Sequence, residues 1–365
     1  MHINYFLYLN QSGYSLAGQE YVLSLLKADK NLSIKCFFLS QASIGVSPQR
    51  NNIFSQLNQT EEKVDHVDIY HSIPALYKLH NHKKKYTEAR KTLGICLFET
   101  MNPNALWINK MKVVDTIITA SEFNKRIFQS NGYNKPIVNI PHAFDPELFN
   151  SSVKSSGRYS LFTFLSIGTF KNRKNWDNLI KGFYHAFEKK NKVCLLIKTD
   201  KKDAILSMIQ SIKHNSEFKS KDTAPVFVEE KTVCNLEDIP VLMKKADACI
   251  SPSLGEGFGY FGLHAMALNI PLIITRYSGC LEYAKENLVT YIEPKKYKSY
   301  PVMDKIPQFH NCIWPIVSYL DISESMLKVF NSDVSEKTKK GYEYVHANFT
   351  QEVIGNKFLE YLKTI

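Results

Sequence analysis

The chain has 365 residues, 44% of them hydrophobic and 12% aromatic, which is enough for about two packed domains of roughly 150 residues each and too apolar for a disordered chain. Its 46 Lys and Arg against 35 Asp and Glu give a formal charge of +11, which favours nucleotides, phosphates or acidic surfaces as partners, or serves solubility alone. Seven cysteines, odd in number and without a C-x-x-C pair, exclude a zinc pattern and a disulfide framework and suggest a reducing compartment.

The N-terminal "MHINYFLYLN" has no basic leader, and no apolar run reaches the ~18 residues that span a bilayer. A cytoplasmic protein is expected, with peripheral contact as its one route to a membrane. "INYFLYL", "SIKCFFLS", "VDIYH", "KTLGICLFE", "DTIITAS" and "PIVNIPHA" predict strands in the first 143 residues. Between them "QEYVLSLLKA", "NALWINKMKV" and "SEFNKRIFQSNG" predict helices, the last opened by Ser121 and closed by Gly132. Residues 77–91, "YKLHNHKKKYTEARK", are basic and read as a solvated helix face or as a contact for an anionic membrane or acceptor.

The polar, Ser-rich "FDPELFNSSVKSSGRYS" then interrupts the pattern as a linker does. Alternation restarts with "LFTFLSIGT", "NWDNLIKGFYHAFEKK", "KVCLLIKTD" and "AILSMIQSIKHN", and runs on through "DACISPS", "FGLHAMALN", "PLIIT" and "VTYIEP". Two-sided apolar strands alternating with helices predict parallel sheets covered on both faces. Two doubly wound α/β domains are therefore expected: residues 1–148, a linker at 149–160, residues 161–340, and a helical tail at 341–365 packing back on the first domain. In the tail, Tyr344, Phe349, Val353, Phe358, Tyr361 and Leu362 are spaced to form one buried stripe. Ligands of such folds bind beyond the carboxyl ends of the strands, so a cleft between the two domains is the expected active site.

The loop "GEGFGYFGLHAMALN" carries the most chemistry. Gly257, Gly259 and Gly262 match the dinucleotide fingerprint G-x-G-x-x-G. A nicotinamide site, however, follows the first strand of its domain and meets an acid about 20 residues later. Here the loop follows a late strand, and the next strand ends in Arg276, which only an NADP site could use. Glu256 inside the loop would oppose a bare pyrophosphate. A better reading has the main-chain N–H groups of Gly257, Phe258 and Gly259 facing an anion at a helix mouth, with Glu256 accepting from sugar hydroxyls. Sugar and phosphate together describe a nucleotide sugar. Arg173 and Lys174, after the strand "FTFLSIG", supply two cations suited to a diphosphate leaving group. As mere surface cations at a helix start they would oppose its dipole.

"SPSLGEGFGYFGLHAMALNIPLIITRYSGCLEY" resembles the core motif of the family-4 retaining glycosyltransferases (glycosyl transferases group 1). "SIGTFKNRKNWDNLIKGF" resembles their glycine–basic motif, "IPHAFDPELF" their interdomain segment, and "GYSLAGQEYV" their N-terminal cleft loop. The resemblance implies the GT-B fold, two doubly wound Rossmann-like domains facing a cleft. It implies an enzyme, hexosyltransferase-like and metal-independent with no cofactor, that moves a sugar from a UDP- or GDP-sugar to an acceptor hydroxyl on a glycan, lipid or protein with retention. Arg173 and Lys174 would then hold the diphosphate, and Glu256 would be the first acid of the E-x7-E motif. Gly168, Thr169, Gly257, Phe258, Gly259, Tyr260 and His264 would line the donor pocket.

His264 stands where the family has its second acid. A histidine can still hydrogen-bond a ribose hydroxyl, but it lacks the fixed negative charge. This departure favours the alternative, a catalytically impaired GT-B binding protein. On the acceptor side the resemblance implies a flexible loop at residues 13–18, with Gly13, Tyr14 and Ser15. His71 ends the run "VDIYH", and Glu99 ends "TLGICLF", where an acid could position or deprotonate the acceptor hydroxyl. The chain contains no D-x-D, which argues against the metal-dependent glycosyltransferase fold. No nucleic-acid partner is expected, because no recognition module accompanies the charge.

Overall fold

The computed structural model describes residues 1–39, 46–79, 85, 88–230 and 235–365. Residues 80–84 and 86–87 of the basic stretch, and Cys234, lie outside the described residues. Two compact units divide the chain: Met1–Pro146 with Cys234–Glu237 and His346–Ile365, and Glu147–Val233 with Asp238–Val345.

The first unit is built on β1 (His2–Leu7), β2 (Ser33–Phe38), β3 (Val67–Tyr70), β4 (Lys91–Ile95), β5 (Thr116–Thr119) and β6 (Ile137–Asn139). They form a parallel sheet ordered β2-β1-β3-β4-β5-β6, with Tyr5 opposite Cys36 on one side and Ile69 on the other. Every residue of β1, β3 and β5 is buried, as strands covered on both faces must be. The chain steps from β1 out to β2 and returns on the far side of β1 at β3. The ends of β1 and β3 therefore mark the switch point where doubly wound sheets take ligands.

Residues 13–18 correct the expectation of a flexible loop, because they form the opening turns of α1 (Gly13–Ala28). The Ser12 hydroxyl accepts from the Ser15 N–H at 3.2 Å, and the Ser15 hydroxyl donates to the Tyr8 carbonyl at 2.6 Å. A serine cap of this kind supplies one of the acceptors that a helix start needs. Gly18 then lets the helix lie against β1 and β3: a Cβ there would sit 3.3 Å from both Leu7 and His71. The unit continues with α2 (Pro48–Gln59), α3 (Ala105–Met111) and α4 (Glu122–Ser130). Ser121 caps α4, and Gly132 takes the left-handed conformation just beyond its end.

The second unit repeats the plan with β7 (Phe162–Ile167), β8 (Val193–Lys198), β9 (Val226–Glu229), β10 (Ala248–Ser251), β11 (Leu272–Thr275) and β12 (Thr290–Ile292). This parallel sheet is ordered β12-β11-β10-β7-β8-β9, so its switch point lies between β7 and β10. Its helices are α5 (Trp176–Ala186), α6 (Lys202–His214), α7 (Asp238–Met243) and α8 (Tyr260–Ala267). After β12 comes an excursion that the strand–helix pattern does not announce: β13 (Lys296–Lys298), α9 (Pro301–Asp304) and β14 (Trp314–Ile316), the two strands antiparallel. Then follow α10 (Tyr319–Asn331), opened by a Ser318–Asp321 capping box, and α11 (Ser335–Asn348).

The tail is two helices rather than one stripe. α11 ends at Asn348, and the Thr350 hydroxyl caps α12 (Gln351–Lys363). The break resets the helical phase, so Phe349, Phe358 and Leu362 are buried while Val353 is 38% exposed. Within the first unit α12 packs on α1, and the Gln351 amide donates to Glu20 at 2.8 Å. Glu20 in turn pairs with Arg50 of α2 at 2.7 Å. Among the described residues no helix is long and apolar enough to cross a membrane.

Candidate active site

The switch point of the second unit gathers the cations and the acid. β7 runs into Gly168 and Thr169, and then into a 3-10 turn at Asn172–Lys174. Asn175 closes that turn in the left-handed conformation, and its amide donates to the Val317 carbonyl at 3.1 Å. Across the switch point, β10 runs into the loop that carries Glu256. The two loops are joined through the backbone: the Leu254 N–H donates to the Arg173 carbonyl at 2.7 Å, and the Ser253 hydroxyl donates to it at 3.1 Å.

The side chains then converge. Arg173 Nη1 lies 2.8 Å from Glu256 Oε2 and donates to the Gly255 carbonyl at 2.8 Å. Lys174 Nζ lies 2.5 Å from Glu256 Oε1. Burial pushes the Glu256 carboxyl up, but the two cations more than offset it and hold its pKa at about 2. The stem of Lys174 lies over Gly168, where a Cβ would come within 3.2 Å of it. Thr169 is exposed, and its carbonyl accepts from the Trp176 indole at 3.3 Å.

A third loop fixes the acid. It follows β11, and three of its residues were not singled out by sequence reasoning. The Glu256 N–H donates to the Ser278 hydroxyl at 2.8 Å, and the Gly279 N–H donates to the Glu256 carbonyl at 3.0 Å. The Tyr283 hydroxyl donates to the carbonyl of Gly259, which has φ +90° and forms the N-cap of α8. The only hint in the sequence is "RYSGCLEY" following a strand, since the partners lie 22 and 24 residues apart.

The remaining residues expected on the donor side divide. Gly257 and Gly259 are half-buried at the mouth of α8, beside Tyr260. Phe258 turns its ring into the core, 5.3 Å from the Tyr283 ring. His264 is buried and stacks on Phe149, with ring centroids 3.7 Å apart and planes at 15°; Tyr260 lies beside it at 5.2 Å. Arg276 pairs at the surface with Glu286 at 2.9 Å and Glu293 at 3.1 Å.

Residues 162–299 match the family model described as Glycosyl transferases group 1. HepE of Anabaena, solved with UDP and glucose, matches the structure with a TM-score of 0.68 at 12% identity over 100% of both chains. The fold is GT-B. Sucrose-phosphate synthase of Thermosynechococcus elongatus matches with a TM-score of 0.68 at 14% identity, over 100% of this chain and 98% of that one. TarM of S. aureus, a mutant solved with Fondaparinux, alpha-GlcNAc-glycerol and UDP, matches with a TM-score of 0.58 at 15% identity, over 82% of this chain. The chain spans 56% of the length of TarM. No curated protein matches the sequence.

In the first GT-B unit the expected acceptor-side residues sit at or near the switch point but are largely engaged by protein. The Tyr14 hydroxyl lies 2.9 Å from the Ser72 carbonyl and 2.8 Å from that of Ile95. Ser15 is taken up by the α1 cap, and Gly13 faces open space. His71 is fully buried just after β3, its Nδ1 3.0 Å from the Tyr5 hydroxyl, its Nε2 without a partner. Burial first, then neighbouring His142, holds its pKa well below the ordinary histidine value. Glu99 lies four residues past the end of β4 rather than at it, half-buried in a bend. Asn124 shapes that bend by bonding the N–H and carbonyl of Phe98 at 3.1 and 2.8 Å.

Proposed function

We propose that this chain transfers a sugar from a UDP- or GDP-sugar to an acceptor hydroxyl on a glycan, lipid or protein, with retention and without a metal. The observation that carries the reading is the convergence of Arg173, Lys174 and Glu256 at the GT-B switch point beside the glycine-lined mouth of α8. Arg173 offers a fork and Lys174 a point charge to the diphosphate, and both stabilise the charge that develops as its bond to the sugar breaks. Glu256 accepts from the sugar hydroxyls. The acceptor oxygen attacks the anomeric carbon from the side the phosphate leaves, and its proton passes to the departing phosphate oxygen. HepE and TarM, both solved with UDP, support a uridine donor. The six described cysteines are all buried thiols, which fits a reducing compartment.

Donor turnover across a panel of UDP- and GDP-sugars tests this. Arg173→Ala with Lys174→Ala should lower turnover by at least about a hundredfold while circular dichroism stays native. Unchanged turnover in the folded double variant removes the diphosphate assignment. One observation favours a second reading. His264 is stacked on Phe149 where the family has an acid, so a nucleotide-binding protein without turnover is the alternative. Binding of UDP with no product from any donor or acceptor would select it.

A further inference from the structure

Glu256 is held by both cations. One of its carboxylate oxygens is taken by Lys174 at 2.5 Å and the other by Arg173 at 2.8 Å. Those cations are the groups assigned above to the diphosphate. We propose that the Glu256 carboxylate stands in for the pyrophosphoryl group in the unliganded protein, and that an arriving diphosphate displaces it and so releases it to bind the sugar. The inference rests on the nucleotide-sugar reading and adds an order to it, phosphate recognition before sugar recognition.

Three observations support the exchange. A carboxylate that bridges two cations through separate oxygens occupies the position of an oxyanion shared between them. The three side chains are only 11 to 17% exposed, so a dianion cannot be added beside the carboxylate without strong repulsion in a poorly screened site. The Glu256 backbone is pinned at both ends, its N–H to Ser278 and its carbonyl to the Gly279 N–H. The side chain can therefore swing while the loop stays in place.

Calorimetric titration of inorganic pyrophosphate, UDP and GDP into the wild-type protein and Glu256→Gln tests the proposal. Removing the competing charge should tighten pyrophosphate and nucleotide binding on the order of tenfold, although sugar transfer is lost. If the wild type binds and Glu256→Gln binds no tighter, the stand-in role is overturned and the nucleotide-sugar reading survives. If neither protein binds any of the three probes, both fall. A wild-type crystal soaked with UDP decides independently of how the variant folds. Both Glu256 ion pairs should be open; intact pairs beside bound nucleotide would overturn the inference.

Discussion

Glu256 owes its position to atoms that belong to other loops, and Gly279 is the tightest of them. A Cβ at Gly279 would lie 1.9 Å from the Gly257 carbonyl oxygen and 2.9 Å from that of Glu256, backbone atoms that cannot rotate away. Gly279→Ala should therefore cost about 1–3 kcal/mol of stability and loosen nucleotide binding, read by urea unfolding and by UDP titration. Arg173, Lys174 and Glu256 were legible in the sequence because charged residues in glycine-bearing loops after apolar strands signal themselves locally. Ser278, Gly279 and Tyr283 were not, because their work is done on carbonyls and amides brought near only by folding. His264 was legible as a departure from the motif that the sequence resembles, whereas its stacking on Phe149 was not.

Among the elements, α1 and α12 show how one small residue sets a packing distance. Gly355 on α12 lies so close to α1 that a Cβ would meet the Ser24 carbonyl oxygen at 2.1 Å. Gly355→Ala should destabilise the first unit by about 1–3 kcal/mol in thermal unfolding. Gly13→Ala, also on α1, is the control: nothing lies within 4 Å of its added methyl, so the melting point should hold or rise. The strands were legible from apolar runs bounded by turn residues. The opening of α1 and the β13–β14 excursion were not, the first because Gly18 packs on His71, which is distant in sequence, the second because such short strands are too brief to show a period.

For the whole molecule, the buried histidines make stability depend on pH. His142 is held near pKa 3 by burial, and His71 is also well below the usual value of 6.5. Both are neutral when folded and protonate once unfolded below pH 6.5. Their contribution is thus fully present above that pH and is lost as pH falls from 6.5 toward the folded values. Between pH 8 and pH 5, His142 should account for a loss of about 2 kcal/mol in urea unfolding. His142→Phe, which keeps a ring against Tyr21, should flatten that slope; an unchanged slope would show that another group titrates.

The two-sided apolar strands, their alternation with helices and the charged glycine loops are short-range properties, and each can be read from neighbouring residues. They were enough to state an α/β chain with two doubly wound sheets and to single out Arg173, Lys174 and Glu256 as candidates. Strand order, the switch point between β7 and β10, and the pairing of both cations with Glu256 depend on contacts across some eighty residues. Such contacts leave no periodic trace, because their free energy comes from burial and charge pairing that exist only once the sheet has assembled.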